Sequence, residues 1–154
     1  MDALTLKALQ KLHNPHIFCP LGNEALLTYL GYDETHAHSL DWWDNRSITI
    51  TLPSSDPNTP EVKTTFKLTC TPAQHQANRS INDRMKSLWS SWALEGETPD
   101  TKVYFAGDTA YRTVHKGEDE DKVPVCPAFK EIGEQFGEFD LALLPIGYVI
   151  LLCW

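Results

Sequence analysis

The chain has 154 residues, 42% of them hydrophobic and 22% charged, the balance of a folded globular domain rather than a disordered segment. That length supports one domain with a real core and does not comfortably support two. A net charge of -8 excludes a basic nucleic-acid surface and simple electrostatic attraction to anionic lipid, so nucleic acid is not an expected partner, whereas a hydrophobic contact with a membrane surface stays open.

"LTLKALQKL" carries Leu4, Ala8, Leu9 and Leu12 near helical spacing and is stopped by Asn14-Pro15. "HIFCP" predicts a short buried strand, "NEALLTYL" a second helix closed by Gly31, and "HSLDWW" another strand. This quick alternation predicts a layered α/β fold. "SITITLP" and "VKTTFKLTCTP" alternate and are β-branched, which predicts an antiparallel hairpin across the polar loop "SSDPNTPE". "SINDRMKSL" reads as a short helix or irregular loop. "WSSWALEG" and "KVYFAGD" predict two further strands joined at "GETPDT". Residues 113–125 form a charged loop insertion whose acidic run, Glu118 to Asp121, reads as a solvated face. "PAFKEIGEQF" predicts a helix with Pro127 in its first turn and Gly137 at its end, and "FDLALLPIG" a continuous apolar strand buried on both faces.

No apolar run reaches the roughly 18 to 20 residues of a membrane helix. The C-terminal "LALLPIGYVILLCW" is broken by Pro145 and Gly147. Met1 opens no signal peptide, and Cys19, Cys70, Cys126 and Cys153 show no C-x-x-C pairing. The expectation is an intracellular protein with reduced thiols, peripheral on a membrane if it meets one.

Two residues carry candidate chemistry. Asp108 follows Gly107 at the end of an apolar strand, a common place for a metal or catalytic ligand; a strand-ending aspartate that caps its own turn is the other reading. His75 stands after Thr71, Pro72 and Ala73 in a polar turn, as a zinc ligand or as an ordinary loop residue. His36-Ala37-His38 lacks a third ligand at short spacing and reads as structural, and core packing is the reading for Trp42, Trp43, Trp89 and Trp92.

Taken in order, "PLGNEALL", "LDWWD", "CTPAQHQANRS", "SLWSSWAL", "VYFAGDTAYR" and "CPAFKEIGEQFGEFDLALLPIG" resemble the metallo-β-lactamase superfamily. Within it they resemble the phospholipases D that hydrolyse N-acyl-phosphatidylethanolamines. The resemblance implies an αββα sandwich with a binuclear zinc site. It implies hydrolysis of N-acyl-phosphatidylethanolamine, a phospholipid substrate, to phosphatidic acid and an N-acylethanolamine. It assigns His75 as a ligand of one zinc ion and Asp108 as the catalytic carboxylate bridging both.

The family also carries an H-x-H-x-D-H cluster before the helix that begins here near Met1, and a further histidine after the "LPIG" strand; neither occurs in these residues. The reading is therefore a central fragment, residues 1–154, of a single metallo-β-lactamase-like domain. It would lack N-terminal strands and a C-terminal part, and would be inactive by itself because most metal ligands are missing. Open sheet edges would then invite a partner, such as a second copy of the chain in a homodimer. The alternatives are a non-catalytic interaction module, and another hydrolase of the same fold acting on a small phosphate ester or a lactone.

Overall fold

The computed structural model describes residues 2–53, 60–75, 86–97 and 100–145. The chain forms two compact units, Met1–Trp42 with Gln76–Trp89, and Trp43–His75 with Ser90–Trp154.

The first unit opens with α1, Ala3–His13. The Asp2 carboxylate caps it by accepting from the Leu4 and Thr5 backbone N–H groups at 3.2 and 3.3 Å. Asn14 ends it in the left-handed region, at φ 42°, just before Pro15. The predicted apolar stripe is not the packed face. Leu4 and Leu12 are largely exposed, and Leu6 instead packs on Cys19, Leu27, Leu30 and Tyr32. The Tyr32 hydroxyl fixes that orientation by donating to the Leu6 carbonyl at 3.0 Å.

Strands β1, Ile17–Pro20, and β2, Ala37–Leu40, form a parallel two-stranded sheet, with α2, Glu24–Tyr29, in the connection. Parallel neighbours need such a crossover. Only Cys19 in β1 and Leu40 in β2 are fully buried, so these strands are less enclosed than their apolar sequences predict. The predicted "HSLDWW" strand stops at Leu40, because the chain turns at Trp42 and Trp43 and Trp43 sits at φ 70°. A left-handed tryptophan cannot continue a strand. At the β1–α2 turn, Gly22 sits at φ 89° and an added Cβ would run into the Lys86 carbonyl oxygen.

The second unit is a five-stranded sheet in the order β3-β4-β5-β6-β7. Strands β3, Asn45–Leu52, and β4, Val62–Pro72, make the predicted antiparallel hairpin, with Asn45 opposite Thr69 and Leu52 opposite Val62. Strands β5, Ser90–Glu97, and β6, Asp100–Phe105, continue it antiparallel. Helix α3, Ala128–Phe136, starts after Pro127 and ends at Gly137, φ 69°. Its Ile132 and Phe136 bury against Ala93, Tyr104 and Ala106, with Trp43, Phe129 and Phe139 at the margin. Each such side chain contributes roughly 1.5–3 kcal/mol of hydrophobic stabilisation. Between β6 and α3, the charged loop is gathered at its base by a bridge between Arg112 and Val125 and holds one short 3-10 turn, Glu120–Lys122.

In this unit β7 departs from expectation. The long buried strand predicted from "FDLALLPIG" is three residues, β7, Leu141–Leu143, and all three are exposed. It lies at the sheet edge and pairs only with β6, in parallel, among the described residues. Apolar composition signalled a strand buried on both faces, and here all three residues are exposed on an edge strand. The predicted element "SINDRMKSL" falls largely outside the described residues, as do Ile146 and Gly147.

Gly22→Ala is expected to destabilise the protein by at least about 1 kcal/mol in urea unfolding, because both the φ value and the Lys86 backbone oppose a side chain. Thiol reactivity gives a second check. Cys19 and Cys70 are buried and Cys126 is half-buried. Burial, with Glu24 adding to it, pushes the Cys19 thiol up to about 11, so the reactive thiolate is scarce at neutral pH. Alkylation of the native protein followed by peptide mass mapping should label Cys126 well before Cys19 or Cys70.

Candidate functional site

Strand direction brings the two sequence-derived candidates together. β5 runs antiparallel to both β4 and β6, so β4 and β6 run parallel and end at the same edge of the sheet. Pro72 pairs with Ser90 there, and Gly107, two residues beyond β6, lies against the Ser90 carbonyl. His75 follows Pro72 by three positions and Asp108 follows Gly107 directly. His75 is half-buried and Asp108 exposed. Gly107 adopts φ 62°, a turn that a residue with a side chain resists.

Beneath this edge lies a buried hydroxyl network. The Ser91 hydroxyl donates to the Pro72 carbonyl at 2.8 Å. It accepts from the Tyr104 hydroxyl at 3.0 Å and lies 2.8 Å from the Thr71 hydroxyl. With the single Ser91 proton given to Pro72, Thr71 is the donor in that pair. Burial raises the Tyr104 phenol above its ordinary value, keeping it a neutral donor. Thr71 and Ser91 are fully enclosed, so the end of β4 is held on its inner side before the chain reaches His75.

The two loops are also tied directly. The Gln74 backbone N–H donates to the Thr109 hydroxyl at 2.9 Å, and the Ala110 N–H donates to the Gln74 carbonyl at 3.0 Å. The Gln74 side-chain amide donates to the Thr113 hydroxyl. Each loop thus fixes the residue next to a candidate ligand. Gln74, Thr109 and Thr113 were not legible as a group, since nothing in the spacing relates position 74 to 109 or 113 before the strand register is known.

This geometry joins a clear result from comparison. A family profile described as "Beta-lactamase superfamily domain" matches residues 1–150. The chain belongs to the metallo-β-lactamase superfamily. The mixed α/β structure, with two sheets and few helices among the described residues, is consistent with part of a metallo-β-lactamase α/β sandwich. A Caenorhabditis elegans protein named N-acyl-phosphatidylethanolamine-hydrolyzing phospholipase D 1 is 34% identical over 154 residues, covering 96% of this chain and 35% of its own length. The mitochondrial N-acyl-phosphatidylethanolamine-hydrolyzing phospholipase D of Saccharomyces cerevisiae is 30% identical, covering 96% of this chain and 26% of its own. An uncharacterized Mycobacterium tuberculosis protein is 31% identical, covering 96% of this chain and 31% of its own. The chain thus spans 26% to 35% of the length of these relatives.

Metallo-β-lactamase superfamily members typically bind zinc, and the residues present fit such a centre in kind. An imidazole and a carboxylate at one sheet edge are zinc-type donors. They do not complete one. Among the described residues no three His, Cys, Asp or Glu side chains converge on a point that could hold a metal ion. The histidines of the first unit form a different arrangement. His16 stacks on His36 and hydrogen-bonds His38 at 2.9 Å, while His36 pairs with Asp33 at 3.0 Å. These rings are engaged with one another, in keeping with the structural reading of His36-Ala37-His38. No described helix is long and apolar enough to cross a membrane.

Ser91→Ala should lower stability by about 2 kcal/mol or more in chemical denaturation, because it strands the buried Thr71 and Tyr104 hydroxyls at a cost of roughly 1–3 kcal/mol each. Tyr104→Phe, which leaves the Ser91 bond to Pro72 in place, should cost about 1 kcal/mol.

Proposed function

We propose that this chain is the part of a zinc-dependent phosphodiester hydrolase that carries one histidine ligand, His75, and the bridging carboxylate, Asp108. The protein that contains it would act on N-acyl-phosphatidylethanolamine. The observation that carries this reading is the meeting of His75 and Asp108 at one sheet edge, on a superfamily domain whose named relatives include two N-acyl-phosphatidylethanolamine-hydrolyzing phospholipases D.

The reaction adds water across a P–O bond. The water oxygen ends on phosphorus in phosphatidic acid, the bond to the ethanolamine oxygen breaks, and a proton ends on the released N-acylethanolamine. Zinc, when bound, lowers the pKa of water and draws charge from the phosphoryl oxygens. This chain's residues hold donors in place for that chemistry. Asp108 offers two oxygens from a glycine turn, enough to reach two ions. His75 offers one nitrogen at the end of a strand whose inner face is locked by Ser91. A phospholipid substrate also implies contact with a membrane surface, and the net charge of -8 favours an apolar contact over an electrostatic one. With two donors among the described residues, the rest of the ligand set comes from elsewhere in the protein, and these residues do not turn over substrate unaided.

The test starts with the native gene product, captured with an antibody to residues 131–141. The expected result is a zinc-containing protein that releases N-acylethanolamine, with His75→Ala and Asp108→Ala each reducing turnover about a hundredfold or more. The purified 154-residue chain should show no zinc-dependent turnover. Turnover by that chain, abolished by Asp108→Ala, would overturn the claim that it is inactive alone. A native product that leaves the lipid intact but cleaves small phosphate esters or lactones would move the substrate assignment within the superfamily. A zinc-free native product found with a protein partner would replace catalysis by an interaction role.

A further inference from the structure

The two loops that carry His75 and Asp108 are joined by a clasp that neither candidate ligand belongs to. Gln74 gives its backbone N–H to the Thr109 hydroxyl at 2.9 Å and takes the Ala110 N–H on its carbonyl at 3.0 Å. Its side-chain amide reaches on to the Thr113 hydroxyl. Gln74 directly precedes His75 and Thr109 directly follows Asp108. The clasp therefore spans the gap between the two donors at the closest positions the backbone allows.

We propose that Gln74 and Thr109 are positioning residues: their cross-loop hydrogen bonds set the spacing of His75 and Asp108 and thereby the affinity for zinc. This rests on the reading of those two residues as ligands.

A histidine three residues past a strand end and an aspartate on a glycine turn each have free torsions between themselves and the sheet. Zinc binding pays for ordering donors that are not already ordered, so a bond between the loops lowers that cost. The hydroxyl network around Ser91 ties β4, β5 and β6 within the sheet, through Pro72, Thr71 and Tyr104, and stops short of the loops. Nothing in it reaches Asp108. The bonds of Gln74 to Thr109, Ala110 and Thr113 are what relate one loop to the other. The Thr109 hydroxyl is the specific element, because the Gln74 N–H has it as acceptor, whereas the Ala110 bond is backbone to backbone and tolerates any side chain.

The experiment compares Thr109→Val, Thr109→Ser and Gln74→Ala in the native gene product, reading zinc affinity by competition with a chelating dye and thermal stability after zinc removal. Thr109→Val keeps shape and loses the acceptor; Thr109→Ser keeps the acceptor; Gln74→Ala keeps the backbone bonds and loses the reach to Thr113. The expected result is a loss of zinc affinity of roughly tenfold or more in Thr109→Val, a smaller loss in Gln74→Ala, and near-native affinity in Thr109→Ser, with metal-free melting unchanged. Native zinc affinity in Thr109→Val would overturn the clasp while leaving the ligand reading intact. Equal losses in Thr109→Val and Thr109→Ser, with metal-free melting lowered in both, would reduce it to a general stability role. A native product that takes up no zinc would remove the ligand reading and the clasp together.

Discussion

Strand β5 lies antiparallel between β4 and β6, and the candidate site depends on that one reversal. It makes β4 and β6 parallel although each is joined to β5 as an antiparallel neighbour. A strand's two sides face opposite ways, so one strand end presents few side chains in any direction. Two strand ends at the same edge present donors from separate loops, far apart in sequence. His75 and Asp108 meet at this edge because of strand direction, and no local motif joins them.

The reversal needs its register fixed, since a slip of one residue would turn every side chain to the other face. Ser91 does much of this. Its hydroxyl is enclosed and committed to Pro72, Thr71 and Tyr104 at once, which ties β4, β5 and β6 at the row beside the site. A buried hydroxyl left unpaired costs more than a made hydrogen bond contributes, so a shifted register is penalised at three groups together. The same face of these strands meets the aromatic cluster of α3, where Ile132 and Phe136 pack on Ala93 and Tyr104. Tyr104 belongs to both systems: its ring lies in the apolar cluster and its hydroxyl in the polar one.

Much of the second unit was legible in the sequence. Alternating β-branched runs gave β3 and β4 as a hairpin, and Pro127 and Gly137 bounded α3 within a residue. These are local signals, written in periodicity and in residues with special backbone preferences. What failed was environment. Leu141 and Leu143 spell a buried strand, yet β7 has one neighbour and stands exposed at the edge. Leu4 and Leu12 spell an apolar helix face, yet Leu6 makes the contact because Tyr32 holds that side. Composition states that a side chain is apolar; only the tertiary arrangement states whether something covers it. The site divided in the same way. His75 and Asp108 were visible as residue types at strand ends and through the family resemblance. Gln74 and Thr109 were not, because their relation exists only once β4 and β6 are in register.

The same topology bears on where further donors can enter. β7 runs parallel to β6, and the Ala106 N–H donates to the Leu143 carbonyl at 3.0 Å, so β7 ends at the edge that carries Asp108. The described residues after it, Leu144 and Pro145, offer no zinc-type side chain. Pro145 also biases Leu144 toward an extended conformation. Three parallel strand ends therefore share one edge, with a histidine on the first, an aspartate on the second and an unused position on the third. In the strand order the end of β4, which leads to His75, lies on one side of Asp108, and the end of β7 lies on the other.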